Sequence, residues 1–145
     1  MTLIRMLLQC PGVSAEDIGV ITAYKEDMHK LSAELRRGNI AVESSTVDSF
    51  QGREKKIMIV HYVAAFRGVR RFGFVSNSNR LCVATTRAKE FQFFVSNFSY
   101  WQQRLREVGV RKELRSEDAI KGVMEHAERH SQLVRWSRVT PPPGV

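Results

Sequence analysis

Along the first hundred residues the spacing of apolar positions changes repeatedly, and the changes mark out alternating helices and strands. Leu3, Leu7 and Leu8, with Met6 beside them, fall at helical spacing and stop at the breaker pair Pro11-Gly12. Ser14 to Asp17 reads as a polar turn. Ile18 to Ala23 is a near-continuous β-rich run ending at Tyr24, the pattern of a strand buried on both faces. Met28, Leu31 and Leu35 return to helical spacing between Lys25 and Arg37, and Gly38-Asn39 supplies a stop. Ile40 to Glu43 then predicts a short strand, Ser44 to Glu54 a hydroxyl-rich loop, and Ile57 to Val63 a strong strand.

Ala64 to Ser78 is a basic and aromatic loop carrying Arg67, Arg70 and Arg71. Asn79 to Lys89 predicts a helix, with Arg80 and Arg87 on one stripe and Leu81, Ala84 and Ala88 on a neighbouring face. Phe91 to Val95 is a further strand. Tyr100, Trp101, Leu105 and Val108 suggest one later helix, and a second opens at Ser116-Glu117-Asp118 and runs through Ala119, Val123 and Ala127 to Val134. This alternation predicts an α/β fold, a mainly parallel sheet flanked by helices, over residues 1–100. Residues 101–138 read as peripheral helices, and the proline-rich stretch 139–145 as a disordered tail.

Charge narrows the choice of partner. The chain has 145 residues, 43% of them hydrophobic, enough for one domain with a sizeable core. Its formal charge of +8 favours a polyanion: nucleic acid, nucleotide or acidic protein. The two cysteines, Cys10 and Cys82, form no metal or disulfide pattern, which fits a reducing, intracellular compartment, nuclear or cytoplasmic. No apolar run is long enough to span a bilayer, so no membrane partner is expected.

In open α/β sheets ligands gather at the carboxyl ends of strands, which directs attention to Thr22-Ala23-Tyr24, to Thr46 through Glu54, and to Arg67 through Arg87. These stretches offer hydroxyls, an amide, a carboxylate and several arginines, a mixture suited to phosphate oxygens. There is no GxxxxGK[ST] phosphate loop, and no Asp-Glu pair follows a strand to hold magnesium. His126 and His130 are spaced i, i+4 without an HExxH frame, so no metal site is expected. The chain alone is not expected to turn over ATP.

Taken in order, Ile18 to Tyr24, Thr46 to Glu54 and Gly73 to Lys89 resemble the last conserved motifs of superfamily 1 helicases. The likeness is to the group containing the nonsense-mediated decay helicase and senataxin, whose second RecA-like domain carries patterns such as GVITPYxxQ, TVDxFQGxE and RRLNVALTRAK. The chain departs from those patterns at Ala23, Asp27, Asn79, Cys82 and Thr85, and carries Ala64 after the strand where the family commonly has Arg.

The resemblance implies a RecA-like domain lacking the P-loop itself. It implies that Arg87 is an arginine finger, and that Gln51, Gly52, Glu54 and Arg80 join it around a nucleotide, Glu54 meeting the ribose and Arg80 orienting the arginine helix. It makes Thr46 and Ser45 hydroxyl donors to a nucleic-acid backbone, and Asp48 and Phe50 structural. Thr22, Tyr24, Arg67, Arg70 and Arg71 complete the expected nucleic-acid set. ATP and Mg2+ are then expected only beside a P-loop-containing first domain, in cis or in trans, and the expected polymer is single-stranded RNA or DNA.

Two other readings stand beside the motor half: a stand-alone nucleic-acid or protein binding module derived from a helicase, and an unrelated nucleotide-binding sheet. If the charge serves a phosphate backbone, a labelled single-stranded oligonucleotide binds the isolated chain at low salt, and log K falls linearly with log salt in fluorescence anisotropy. Absence of binding at low salt would count against the binding module.

Overall fold

The computed structural model describes residues 1–62, 78–108 and 117–134. Arg67, Arg70 and Arg71, Val63 at the end of the expected third strand, and the expected disordered tail lie outside the described residues. Helix α1 (Thr2–Leu8) leads through a 3-10 turn (Ala15–Asp17) to strand β1 (Ile18–Thr22), and helix α2 (Lys25–Arg37) carries the chain to strand β2 (Glu43–Thr46). A second 3-10 turn (Asp48–Phe50) precedes strand β3 (Lys55–His61). Helix α3 (Ser78–Thr85), strand β4 (Ala88–Val95) and helices α4 (Phe98–Val108) and α5 (Glu117–Arg129) follow. The strands form one all-parallel sheet in the order β2-β1-β3-β4, the expected α/β architecture.

Side-chain alternation sends the strands' apolar residues to opposite faces of the sheet. Ile18 and Val20 of β1 and Ile57 and Ile59 of β3 pack with Ile4 of α1 and Leu35 of α2. Ile21, Met58, Val60 and Tyr62 pack on the other face with Val47, Phe50, Leu81, Ala84 and Trp101. Both faces of the central strands are therefore dry, which is why their sequences read as unbroken apolar runs.

Local chemistry sets the helix ends. Glu26 and Asp27 occupy the first turn of α2 and Arg36 and Arg37 its last, matching the helix dipole. Asn39 takes the left-handed conformation (φ 50°), so that Ile40 N–H reaches Leu35 C=O and Asn39 N–H reaches Arg36 C=O. These are the two bonds of a Schellman stop. Ser131 (φ 54°) ends α5 in the same way, with Gln132 N–H on Ala127 C=O. Val134, expected inside that helix, lies past its end and is 81% exposed.

Three sequence expectations need correction. The second strand is Glu43–Thr46, not Ile40–Glu43, because main-chain pairing with Gly19 to Thr22 recruits the hydroxyl residues that read as loop. The Asn79–Lys89 helix stops at Thr85, and Ala88 and Lys89 belong to β4, so Arg80 and Arg87 do not share a helical stripe. Trp101, placed among peripheral helices, is 2% exposed and belongs to the core beside Tyr62.

His61, which pairs with Thr22 and Val95 at the carboxyl ends of the strands, has a buried Nδ1 without a hydrogen-bond partner. Burial lowers its pKa from the ordinary 6.5, with the Asp27 carboxylate acting in the opposite sense. The unfolded chain therefore takes up a proton before the folded one does. Stability from this group is complete above the ordinary value and declines as pH falls towards the depressed folded value. Urea midpoints measured between about pH 8 and pH 5 should fall in the native chain and fall less in His61→Phe.

Candidate functional site

Parallel register divides the candidate residues between two edges of the sheet. Thr22 aligns with Thr46 and with His61, which puts Thr22, Tyr24, Ser45 and Thr46 towards the carboxyl edge. Lys55 aligns with Ala88, and the Lys55 N–H donates to the Arg87 carbonyl at 3.1 Å. Glu54 and Arg87 are thus the last residues before two neighbouring strands, at the amino edge. The expectation that this chemistry would sit at the carboxyl ends of the strands does not hold for them. The eight residues between β2 and β3 return the chain to the sheet's starting edge before Glu54 is reached.

At the carboxyl edge the hydroxyls are turned inward. Thr22 is fully buried and donates to the Tyr24 carbonyl at 3.0 Å. Thr46 is buried; its hydroxyl donates to Ser49 Oγ at 2.9 Å and accepts from the Ser49 N–H, opening the second 3-10 turn. Ser45 is buried and accepts from Arg53. Tyr24 precedes α2 and packs partly against the core, and burial raises its phenol pKa, with help from Asp27. Asp48 receives a two-pronged ion pair from Arg80, with Nε and Nη2 each 3.0 Å from a carboxylate oxygen. Hydrogen bonding from Arg80 holds the Asp48 carboxyl below its ordinary range.

The amino edge is a belt of charges. Lys56 meets Asp17 at 2.9 Å, Lys55 meets Glu43 at 3.4 Å, Arg53 meets Glu43, and Lys89 lies 3.8 Å from Glu54. The Lys56 hydrogen bond, reinforced by the Ser14 backbone and hydroxyl, holds the Asp17 carboxyl well below the usual range. Arg87 differs from these cations in meeting no carboxylate among the described residues. Its Nε–H donates to the Val83 carbonyl at 3.1 Å and its Nη2 to Thr86 Oγ1 at 2.8 Å. Gln51, Gly52 and Glu54 are exposed on the loop that leads into β3, and the Lys55–Arg87 main-chain bond brings Glu54 next to Arg87.

Arg53, absent from the expected site, organises that loop. It pairs with Glu43, donates to Ser45 Oγ and to the Ser49 carbonyl, and lies 4.5 Å over the Phe50 ring. Its position inside Gln51-Gly52-Arg53-Glu54 was the only sequence signal of this role. A one-residue bulge in β4 between the pairs Lys55/Ala88 and Ile57/Phe91 was likewise unmarked in the sequence, and it adjusts the strand just beyond Arg87. Among the described residues no group of three or more His, Cys, Asp and Glu could hold a metal ion. No helix among them is long and apolar enough to cross a membrane.

Comparison with known proteins decides the family. The AAA domain family matches residues 1–99. The chain belongs to that family. Within it, this AAA domain is superfamily 1 helicase-like, of the group that contains the nonsense-mediated decay helicase and senataxin. It is 38% identical over 98 residues to the mouse 5'-3' DNA helicase ZGRF1, covering 63% of this chain and 5% of that protein. To mouse RNA helicase Mov10l1 it is 36% identical over 91 residues, 59% of this chain and 8% of the relative. To yeast Helicase SEN1 it is 38% identical over 77 residues, 50% of this chain and 4% of the relative. The AAA domain thus spans less than a tenth of the length of each of these three helicases.

Gly52 has φ 80°, and a Cβ added there would meet nothing within 4 Å, so a side chain brings conformational cost and no clash. Gly52→Ala should lower stability by roughly 1–2 kcal/mol in urea denaturation, through the left-handed backbone alone.

Proposed function

We propose that this domain is the second motor half of an ATP-dependent nucleic-acid helicase, contributing Arg87 and Glu54 to ATP bound mainly on a P-loop domain. One observation carries the reading: Arg87, the amino-edge cation without a carboxylate partner among the described residues, adjoins Glu54 through the Lys55–Arg87 main-chain bond. Carboxylates partly neutralise the neighbouring lysines and Arg53, which leaves Arg87 as the group able to answer the charge of a triphosphate.

The donor set fits a nucleotide contact. With the Nε–H and one Nη2 hydrogen engaged, the guanidinium keeps its terminal edge, Nη1 and the second Nη2 hydrogen, for two phosphate oxygens. Glu54 accepts hydrogen bonds from ribose hydroxyls, and Lys89 beside it holds the carboxylate at the same edge. ATP supplies the phosphoryl transfer when bound. Arg87 stabilises charge on the transferring group without exchanging a proton, because an arginine stays protonated throughout. The described residues offer no cluster of acidic ligands suited to Mg2+.

The basic charge of the whole chain supports single-stranded RNA or DNA as the polymer moved by the assembled motor. The same charge favours the second reading, a binding module without turnover, which predicts oligonucleotide binding but no effect of this domain on ATP hydrolysis.

Joining the chain to a matching P-loop domain and following nucleic-acid-stimulated ATP hydrolysis tests the motor reading. Arg87→Ala should lower kcat by about a thousandfold with the fold intact. An unchanged rate in an active hybrid would refute the assignment.

A further inference from the structure

We infer that Thr86 is the positioning residue for Arg87: its hydroxyl anchors the guanidinium so that the terminal edge faces outward, an inference that rests on Arg87 meeting phosphate. The inference starts from how α3 ends. The last carbonyls of a helix have no partner within it, and here Cys82, Val83 and Ala84 find theirs in the residues that follow. The Thr85 and Thr86 hydroxyls donate to the Cys82 carbonyl at 3.0 and 2.9 Å, and Gln92 Nε2 donates to the Ala84 carbonyl at 2.7 Å. The Val83 carbonyl takes the Arg87 Nε–H.

A hydroxyl offers one hydrogen and two lone pairs. Thr86 aims its one hydrogen at the Cys82 carbonyl at 2.9 Å, with the Val83 carbonyl a longer second acceptor at 3.3 Å, and either choice leaves a lone pair for Arg87 Nη2 at 2.8 Å. The guanidinium is thereby held at two points on one side, Nε by the helix end and Nη2 by Thr86. Rotation about Cδ–Nε would break both contacts and rotation about Nε–Cζ would break the second, so the plane of the group and the nitrogens on its outer edge are both set, and its terminal edge is left for a ligand. The negative end of the α3 dipole keeps the cation in place without cancelling its charge. Thr85 provides an internal control, since its hydroxyl uses the same Cys82 carbonyl, whereas Arg87 donates to Val83 and Thr86.

Two measurements test this. In the isolated chain, nitrogen NMR of the arginine side chains should show separate Arg87 Nη signals at low temperature. They should merge in Thr86→Val and Thr86→Ala and stay separate in Thr86→Ser. In the chain joined to a P-loop domain, Thr86→Val should lower kcat roughly ten- to a hundredfold while KM for ATP stays within about twofold. Thr86→Ser should restore the rate, and Thr85→Val should leave it unchanged. Thermal midpoints should agree within about 2 °C across the set, which separates positioning from loss of fold. Native-like Arg87 signals in both Thr86→Val and Thr86→Ala, or an unchanged kcat in Thr86→Val where Arg87→Ala disables the motor, would overturn the role of Thr86 alone. An active Arg87→Ala motor would overturn the phosphate reading, and the inference with it.

Discussion

The pairing of β3 with β4 is the constraint on which the candidate site depends. Lys55 N–H bonds to the Arg87 carbonyl, so the residues that start the two strands are tied together by main chain, whatever their side chains do. What holds that register is the core. Ile57 and Ile59 face one packed layer, Met58 and Val60 the other, and a slip of one residue would exchange the two sets. The position of Glu54 beside Arg87 is therefore a consequence of apolar burial several residues away. The bulge in β4 follows the first pair and absorbs one extra residue without moving it.

Charge pairing at the same edge has a different purpose from stability. Exposed ion pairs such as Lys89–Glu54 contribute little to the folding free energy, because water and salt screen them. Their effect is to fix which charges remain available. Arg53 is drawn back onto Glu43, Ser45, Ser49 and Phe50, and the lysines are shared with carboxylates, while among the described residues Arg87 is held by a carbonyl and a hydroxyl. Neutral acceptors orient a cation without offsetting its charge. Arg53 and Arg87 bear the same charge, and what separates them is the charge on their partners.

Elements with their own periodicity were legible in the sequence. The bounds of α2 agree with Lys25 to Arg37 because its apolar spacing and its stop at Gly38-Asn39 are both local signals. Strand β2 was not legible, since Ser44, Ser45 and Thr46 carry no apolar pattern and become a strand only by pairing with β1. The end of α3 was missed for a related reason: Leu81, Ala84 and Ala88 keep helical spacing, but Ala88 is claimed by its pairing with Lys55. The motif order identified Arg87 and Glu54 as candidates, while the edge on which they lie follows from the return of the chain between β2 and β3. Arg53 and Thr86 escaped because a side chain that acts by holding another residue leaves no signature of its own in a single sequence.

Helix α3 connects the two edges. Near its start Arg80 grips Asp48, which closely follows the buried Thr46 at the carboxyl edge; just past its end Arg87 is held at the amino edge. Eight residues make a rod about 12 Å long, and Leu81 and Ala84 bury its inner side against the core. Such a rod is stiff over its length, because its internal hydrogen bonds would have to break before it could bend sharply. A shift of the Asp48 turn is taken up by the long Arg80 side chain or by loss of an ion pair that water screens, because moving α3 would disturb Leu81 and Ala84 in the core. The two-pronged Asp48–Arg80 pair therefore orients its partners without steering the helix. Core packing of a single helix sets the spacing between the two edges of the sheet.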